Sequence, residues 1–144
     1  MAATGALGGI VTAQTVTWTL AAATAEVVDT VVASIFVPNK ACILDVILEV
    51  TTLADDGAAL AFDVGDATGP ETPDDNRFIA AFSGQAVGEI RASANLLDGT
   101  YTYRDDGVND DLQVEQEIQL TIAAAAATGA DGDGRLTVIY YNTV

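Results

Sequence analysis

Residues 15–20 read Thr-Val-Thr-Trp-Thr-Leu, and this alternation decides the fold class. Hydroxyl-bearing and apolar side chains alternate, which is the period of a β-strand with one buried face. The stretches 42–53, 60–64 and 135–142 alternate in a similar way, and residues 27–37 are rich in β-branched side chains. We therefore predict that strands with one apolar face dominate this chain.

The same alternation predicts which side chains face the core. In the stretch 42–53 the predicted core face carries Leu44, Val46, Leu48 and Val50, and in the stretch 135–142 it carries Leu136, Val138 and Tyr140. Shorter strands are predicted at 77–82, 89–94 and 100–104, and a longer one at 112–122 with a bulge near residues 115–116. The alanine run 123–127 fits either a helical turn or the end of a strand.

Clusters of aspartate, asparagine and glycine separate these stretches and predict turns, because such residues tolerate left-handed backbone or bond their own main chain. The predicted turns lie at residues 55–57, 74–76, 98–99, 105–107 and 131–134. About eight or nine short strands joined in this way predict an all-β protein, an antiparallel β-sandwich. We expect one sandwich domain over residues 11–144, preceded by a short flexible or docking arm at residues 1–10.

The charge balance excludes several classes of function. The chain has 21 acidic and 5 basic residues and no histidine, which gives a net charge of -16. Such a chain repels phosphate backbones and anionic lipid, so we expect neither nucleic acid nor membrane as a partner. Without histidine, the three serines and Cys42 have no usual activating base, and we expect no enzyme activity. The N-terminus lacks the pattern of a secretory signal, so we expect synthesis in a cytoplasm.

The paired aspartates are the remaining candidates for chemistry. They lie beside glycine or asparagine in predicted turns, which explains them without catalysis. The stretch 130–135 partly resembles a calcium loop, but Arg135 and Asn142 stand where an EF-hand has acidic ligands. We predict a hairpin turn there and no cofactor, with a structural calcium ion as the alternative.

Trp18 and the tyrosines have two interpretations. A lone tryptophan in a sandwich is usually a core residue, but an exposed ring could grip a sugar or a partner protein. Neighbouring side chains of a strand point to opposite faces, so either Tyr140 or Tyr141 should be exposed.

Residues 59–82, ALAFDVGDATGPETPDDNRFIAAF, join an alternating strand to an acidic loop and then to Asp75-Asn76-Arg77-Phe78. Together with the strand motif Tyr101-Thr102-Tyr103 and the closing stretch 136–141, this segment is similar to capsid decoration (cement) proteins of tailed bacteriophages. The resemblance covers about residues 40–144. It implies a jelly-roll sandwich on the outer surface of an icosahedral virion, commonly a homotrimer, that binds the major capsid protein and stabilises contacts between its subunits.

From the arm, the exposed aromatic positions and this resemblance, the candidate interface residues are Leu7, Ile10, Trp18, Arg77, Phe78 and Tyr141. Two alternatives remain open. One is another virion component, a tail, neck or fibre protein. The other is an adhesive sandwich that binds carbohydrate through Trp18 or a tyrosine.

Overall fold

The computed structural model describes residues 10–25, 27–38, 41–52, 60–68, 74–84, 87–92, 116–126 and 131–142. These residues form eight strands and one single-turn helix. In chain order the elements are β1 (Val11–Leu20), α1 (Ala22–Ala25), β2 (Val31–Val37), β3 (Ala41–Thr52), β4 (Ala61–Thr68), β5 (Asp74–Ser83), β6 (Gly88–Arg91), β7 (Gln116–Ala124) and β8 (Gly132–Asn142). The predicted all-β class is confirmed, and within the described ranges no helix is long and apolar enough to span a membrane.

The strands pair in two antiparallel sheets of four. Sheet A has the order β1-β8-β3-β6 and sheet B the order β2-β7-β4-β5. Every strand except β5 lies in a different sheet from the strand before it, which is the strand order of a jelly roll. The predicted jelly-roll-like sandwich is thus confirmed.

The core lies between the two sheets and is built from the alternate residues that face inward. Ile118, Leu120 and Ile122 of β7 are fully buried, as the period of two requires. Trp18 of sheet A is only 3% exposed, and its ring centroid lies 5.3 Å from that of Phe62 in sheet B. Burying an aromatic side chain stabilises a fold by about 2–3 kcal/mol, so this pair is a main contact between the sheets.

The predicted turn at residues 131–134 is wrong, because Gly132 to Gly134 belong to β8. Gly134 lies opposite Trp18 in the β1–β8 pair. A Cβ atom at Gly134 would overlap the Trp18 ring and the main-chain carbonyl of Glu49. The glycine is therefore required by packing: it leaves the space that the largest core side chain fills.

The predicted turn at residues 74–76 is also wrong, since Asp74 begins β5. The strand starts there because its first main-chain N–H donates to Asp66 Oδ1 at 2.8 Å. Farther along β5 the pairing with β4 shifts, and Ala81 has a φ of 51°, in the left-handed region. The Asp63 carboxylate accepts the Ala81 N–H at 2.6 Å, which helps to hold this irregular backbone.

Leu44 is the one predicted core residue of β3 that lies outside. It is 43% exposed, whereas Val46, Leu48 and Val50 are buried. The pairing with β8 moves from Ile43–Tyr140 to Asp45–Ile139, so Leu44 is the extra residue of a bulge. The bulge changes the phase of the alternation, and a strict period of two cannot reveal it.

Several predictions lie outside the described residues: the strand at 100–104, the bulge near 115–116 in part, and the turns at 55–57, 98–99 and 105–107. The division into an arm (1–10) and a domain (11–144) stays a prediction, because residues 1–9 also lie outside. Within the alanine run, Ala123 and Ala124 belong to β7.

Candidate functional site

The sandwich has two lateral sides, each formed by one terminal strand of each sheet. We call them the β1–β2 side and the β5–β6 side, after the strands that end sheets A and B there. Among the described residues, these terminal strands have a ladder partner on one side only, so both sides of the sandwich can accept another polypeptide. The two sides differ in length, charge and exposed side chains.

The β1–β2 side is formed by strands of ten and seven residues, neither of which carries a charged side chain. Gln14 joins the two strands: its Nε2 donates to the Phe36 carbonyl at 3.2 Å and to the Tyr140 hydroxyl at 2.8 Å. These hydrogen bonds between uncharged groups link β1 to β2 across the gap between the two sheets.

Most of the large apolar side chains that the described residues expose lie on this side. They are Ile10 and Val11 at the start of β1, Val27 and Val28 in the turn after α1, and Val31 and Phe36 of β2. Leu44 and Val87 are exposed elsewhere. Those on the β1–β2 side are spread along its length. The β1–β2 side therefore exposes more large apolar side chains than the rest of the described surface, which is a feature of interaction surfaces.

The turn that carries Val27 and Val28 is anchored to the rest of the fold. Asp29 has a φ of 64°, and its N–H donates to the Ile122 carbonyl at 2.9 Å. At the start of α1, which precedes the turn, the Ala22 N–H donates to Asp131 Oδ1 at 3.0 Å. The valines are thus held outward by a defined backbone, which reduces the entropy that a partner would have to remove.

The β5–β6 side is charged, and one of its two strands is short. β6 has only four residues, and its Arg91 contacts Glu89 Oε1 at 2.9 Å and Asp45 Oδ2 at 3.3 Å. In sheet B, the Nε of Arg77 lies 3.0 Å from Oδ2 of Asp66, whose side chain is buried. Charged side chains and short strands are the usual protection of sheet edges.

An open depression of ≈ 570 Å³ lies on sheet B beside this charged edge. Its lining comprises Gly65, Asp66, Ala67, Asp74, Asp75, Arg77, Gln119 and Thr121. Burial, followed by the charges of Asp75 and Asp74, raises the pKa of nearby Asp63, although the Ala81 N–H opposes this. Within the described ranges no three acidic or cysteine side chains are grouped so as to hold a metal ion.

The residues predicted as an interface are not brought together as one site. Ile10 is 76% exposed and precedes Val11, which pairs with Tyr141 on sheet A. Trp18 and Phe78 (1% exposed) are core residues, and Arg77 lies toward the opposite side in its ion pair with Asp66. Leu7 lies outside the described residues.

The burial of Trp18 bears on the carbohydrate alternative, because a sugar platform needs an exposed ring face. Tyr140 is buried as well, and Tyr141 is half-buried. The sequence analysis missed Val28, Val31 and Phe36. Their signal was present: the chain has only two charged residues before Pro38, Glu26 and Asp29.

No family model matches the chain, and no curated protein matches it significantly. Two solved structures have the same fold. The capsid of Ralstonia phage GP4 matches with a TM-score of 0.67 and 24% identity over 100% of this chain and 92% of that chain. The cyanophage Pam1 capsid asymmetric unit matches with a TM-score of 0.64 and 23% identity over 98% and 91% of the two chains. The chain is therefore similar in its whole fold to chains of two phage capsids.

Proposed function

We propose that this protein is a structural component of a bacteriophage virion, and specifically a capsid decoration protein on the outside of the head. The observation that carries the proposal is the similarity in fold to two phage capsid chains, over nearly the full length of this chain and of both of those chains. Those chains are hardly longer than this one, so the jelly roll accounts for almost all of each. The proposed partner is the major capsid protein, and the proposed assembly is a homotrimer.

The charge supports an outer rather than an inner position. DNA packaged in a head presents a dense array of phosphates, and a chain with a net charge of -16 is repelled by it. In an exterior position, the capsid shell separates this acidic protein from the packaged DNA. The proposed role is binding alone: the protein adds contacts between shell subunits and performs no chemistry.

Particles made without this protein test the proposal. We expect cryo-electron microscopy to show density missing from the outside of the head, and we expect the particles to release DNA at a lower temperature. Adding the purified protein back should restore both the density and the temperature of release.

The location of the missing density separates the alternatives. Loss from the tail, neck or fibres with an unchanged head would replace the decoration role by another virion role. Particles identical in every region and in heat stability would contradict a virion role altogether.

A further inference from the structure

We propose that the β1–β2 side is the surface through which copies of this chain associate with one another. The inference rests on the proposed function, because the homotrimer is part of that proposal. It adds which surface and which residues form the contact between copies. Its test uses purified protein without particles, so that the two proposals can fail separately.

The first argument is the lack of edge protection. Proteins that stay monomeric shield terminal strands with charges, prolines or short length. The β5–β6 side follows this rule, with Asp74 and Asp75 at the start of β5 and a β6 of four residues. β1 and β2 are both longer than β6, contain neither charge nor proline, and expose Val11, Val31 and Phe36. Such unprotected edges favour pairing with another polypeptide.

The second argument identifies the occupant. Two copies that each carry a net charge of -16 repel one another, so they can approach only through a surface that carries few carboxylates. Among the described residues from 10 to 38, the sole charged side chain is that of Asp29. A second copy brings the same neutral, apolar surface, so the β1–β2 side is complementary to itself.

The third argument is size. Ten residues of β1 span about 33 Å, and two packed sheets with their side chains give a width of about 20 Å. The side therefore offers roughly 600 Å² per copy and about 1,200 Å² in a pair, which reaches the lower end of stable protein interfaces. Symmetry allows the contact: across a twofold axis the two sides meet as identical patches, and around a threefold axis one part of each side meets a different part of the next.

The test compares one substitution at two places. Val31 on the β1–β2 side is 48% exposed and Val87 before β6 is 63% exposed, so Val31→Glu and Val87→Glu add the same charge at similarly exposed positions. Light scattering after size exclusion, at about 10 µM protein and in both about 0.05 M and about 0.5 M salt, gives the molar mass. Val28→Glu, in the turn after α1, is a second variant on the same side.

We expect the wild type and Val87→Glu to be oligomers of equal mass at both salt concentrations. Val31→Glu and Val28→Glu should associate at least about tenfold more weakly, because a carboxylate would be buried without a partner. Circular dichroism establishes that each variant is folded; if Val31→Glu is not, Val28→Glu decides.

Three results would overturn the inference. The first is a monomeric wild type at both salt concentrations. The second is an oligomer that Val87→Glu dissociates and the folded β1–β2 variants do not. The third is a monomer that nevertheless binds particles and loses this binding in Val31→Glu, which would give the surface to the shell protein and leave the proposed function standing.

Discussion

The β1–β2 side and the β5–β6 side belong to the same sandwich but are held by different forces. On the β1–β2 side, Trp18 packs beneath β1 and Gln14 makes neutral hydrogen bonds to β2 and Tyr140. On the β5–β6 side, Arg77 and Arg91 pair with carboxylates. The comparison teaches that the charges are unevenly distributed: β1 and β2 themselves carry none, whereas β5 and β6 carry carboxylates and arginines. Substitutions of four kinds test this difference.

The largest expected effect concerns the packing under β1. Gly134→Val would force a side chain into the Trp18 ring and the Glu49 carbonyl, and we expect the free energy of unfolding to fall by about 3 kcal/mol or more. Gly88→Val is the matched control, because a Cβ atom there meets open space. Urea denaturation measures both, and equal losses would show that packing does not distinguish the two positions.

The next effect concerns the ion pair on sheet B. Arg77→Met leaves the buried Asp66 carboxylate without its cation, and we expect unfolding to become easier by about 2–3 kcal/mol. Arg135→Met removes an exposed pair with Glu49 and should cost less than about 1 kcal/mol. If thermal denaturation gave the same loss for both variants, the Asp66–Arg77 pair would count as a surface pair.

A smaller effect is expected at the bridge between β1 and β2. Gln14→Ala removes hydrogen bonds to Phe36 and Tyr140, and a loss of about 1 kcal/mol is expected. Because the bridge is neutral, the loss should be the same at low and high salt. Gln119→Ala, which removes a bond to Glu117 within β7, serves as the control and should change stability less. A loss that shrinks with added salt would contradict a neutral bridge.

The smallest effect is a pH dependence at Asp63. Burial raises the pKa of this carboxyl above 3.8, so the folded state binds its proton more tightly than the unfolded state does. This contribution to stability is present below pH 3.8 and is lost as the pH rises through the folded pKa. Asp63→Asn should therefore melt slightly higher than the wild type at neutral pH and alike below pH 3.8. A variant that melts lower at neutral pH would show that the charged carboxylate stabilises Ala81.

The fold could be predicted from the sequence because its strands alternate strictly. The faces of β7 and β8 follow directly from a period of two, as Ile118, Leu120, Leu136 and Val138 show. The errors occur where another force overrides the local signal. Gly134 lies in a stretch with the composition of a turn, but the glycine is there because a side chain would overlap Trp18. Leu44 lies outside the core because of a bulge that is defined only by the pairing with β8.

The candidate surface was predictable only in part. The uncharged N-terminal region was visible in the sequence, and Ile10 was chosen from it. Phe36 and Val31 were not chosen: the low charge of the region extends to them, but their place at the border of the sandwich depends on β2 being the last described strand of its sheet. Which strands end a sheet is a property of the whole topology and not of local sequence.

The strand order also has a consequence for how the chain folds. Among the described strands β1 pairs with β8 alone, so Val11 must meet Tyr141, which is separated from it by almost the entire chain. Contacts of such long sequence separation form slowly, because the loop entropy has to be lost before the contact is made. During synthesis, β1 cannot form its pair until β8 has left the ribosome. Until then, the unpaired and uncharged β1 can pair with the β8 of another copy. Expression conditions that keep nascent chains apart should therefore favour correct folding.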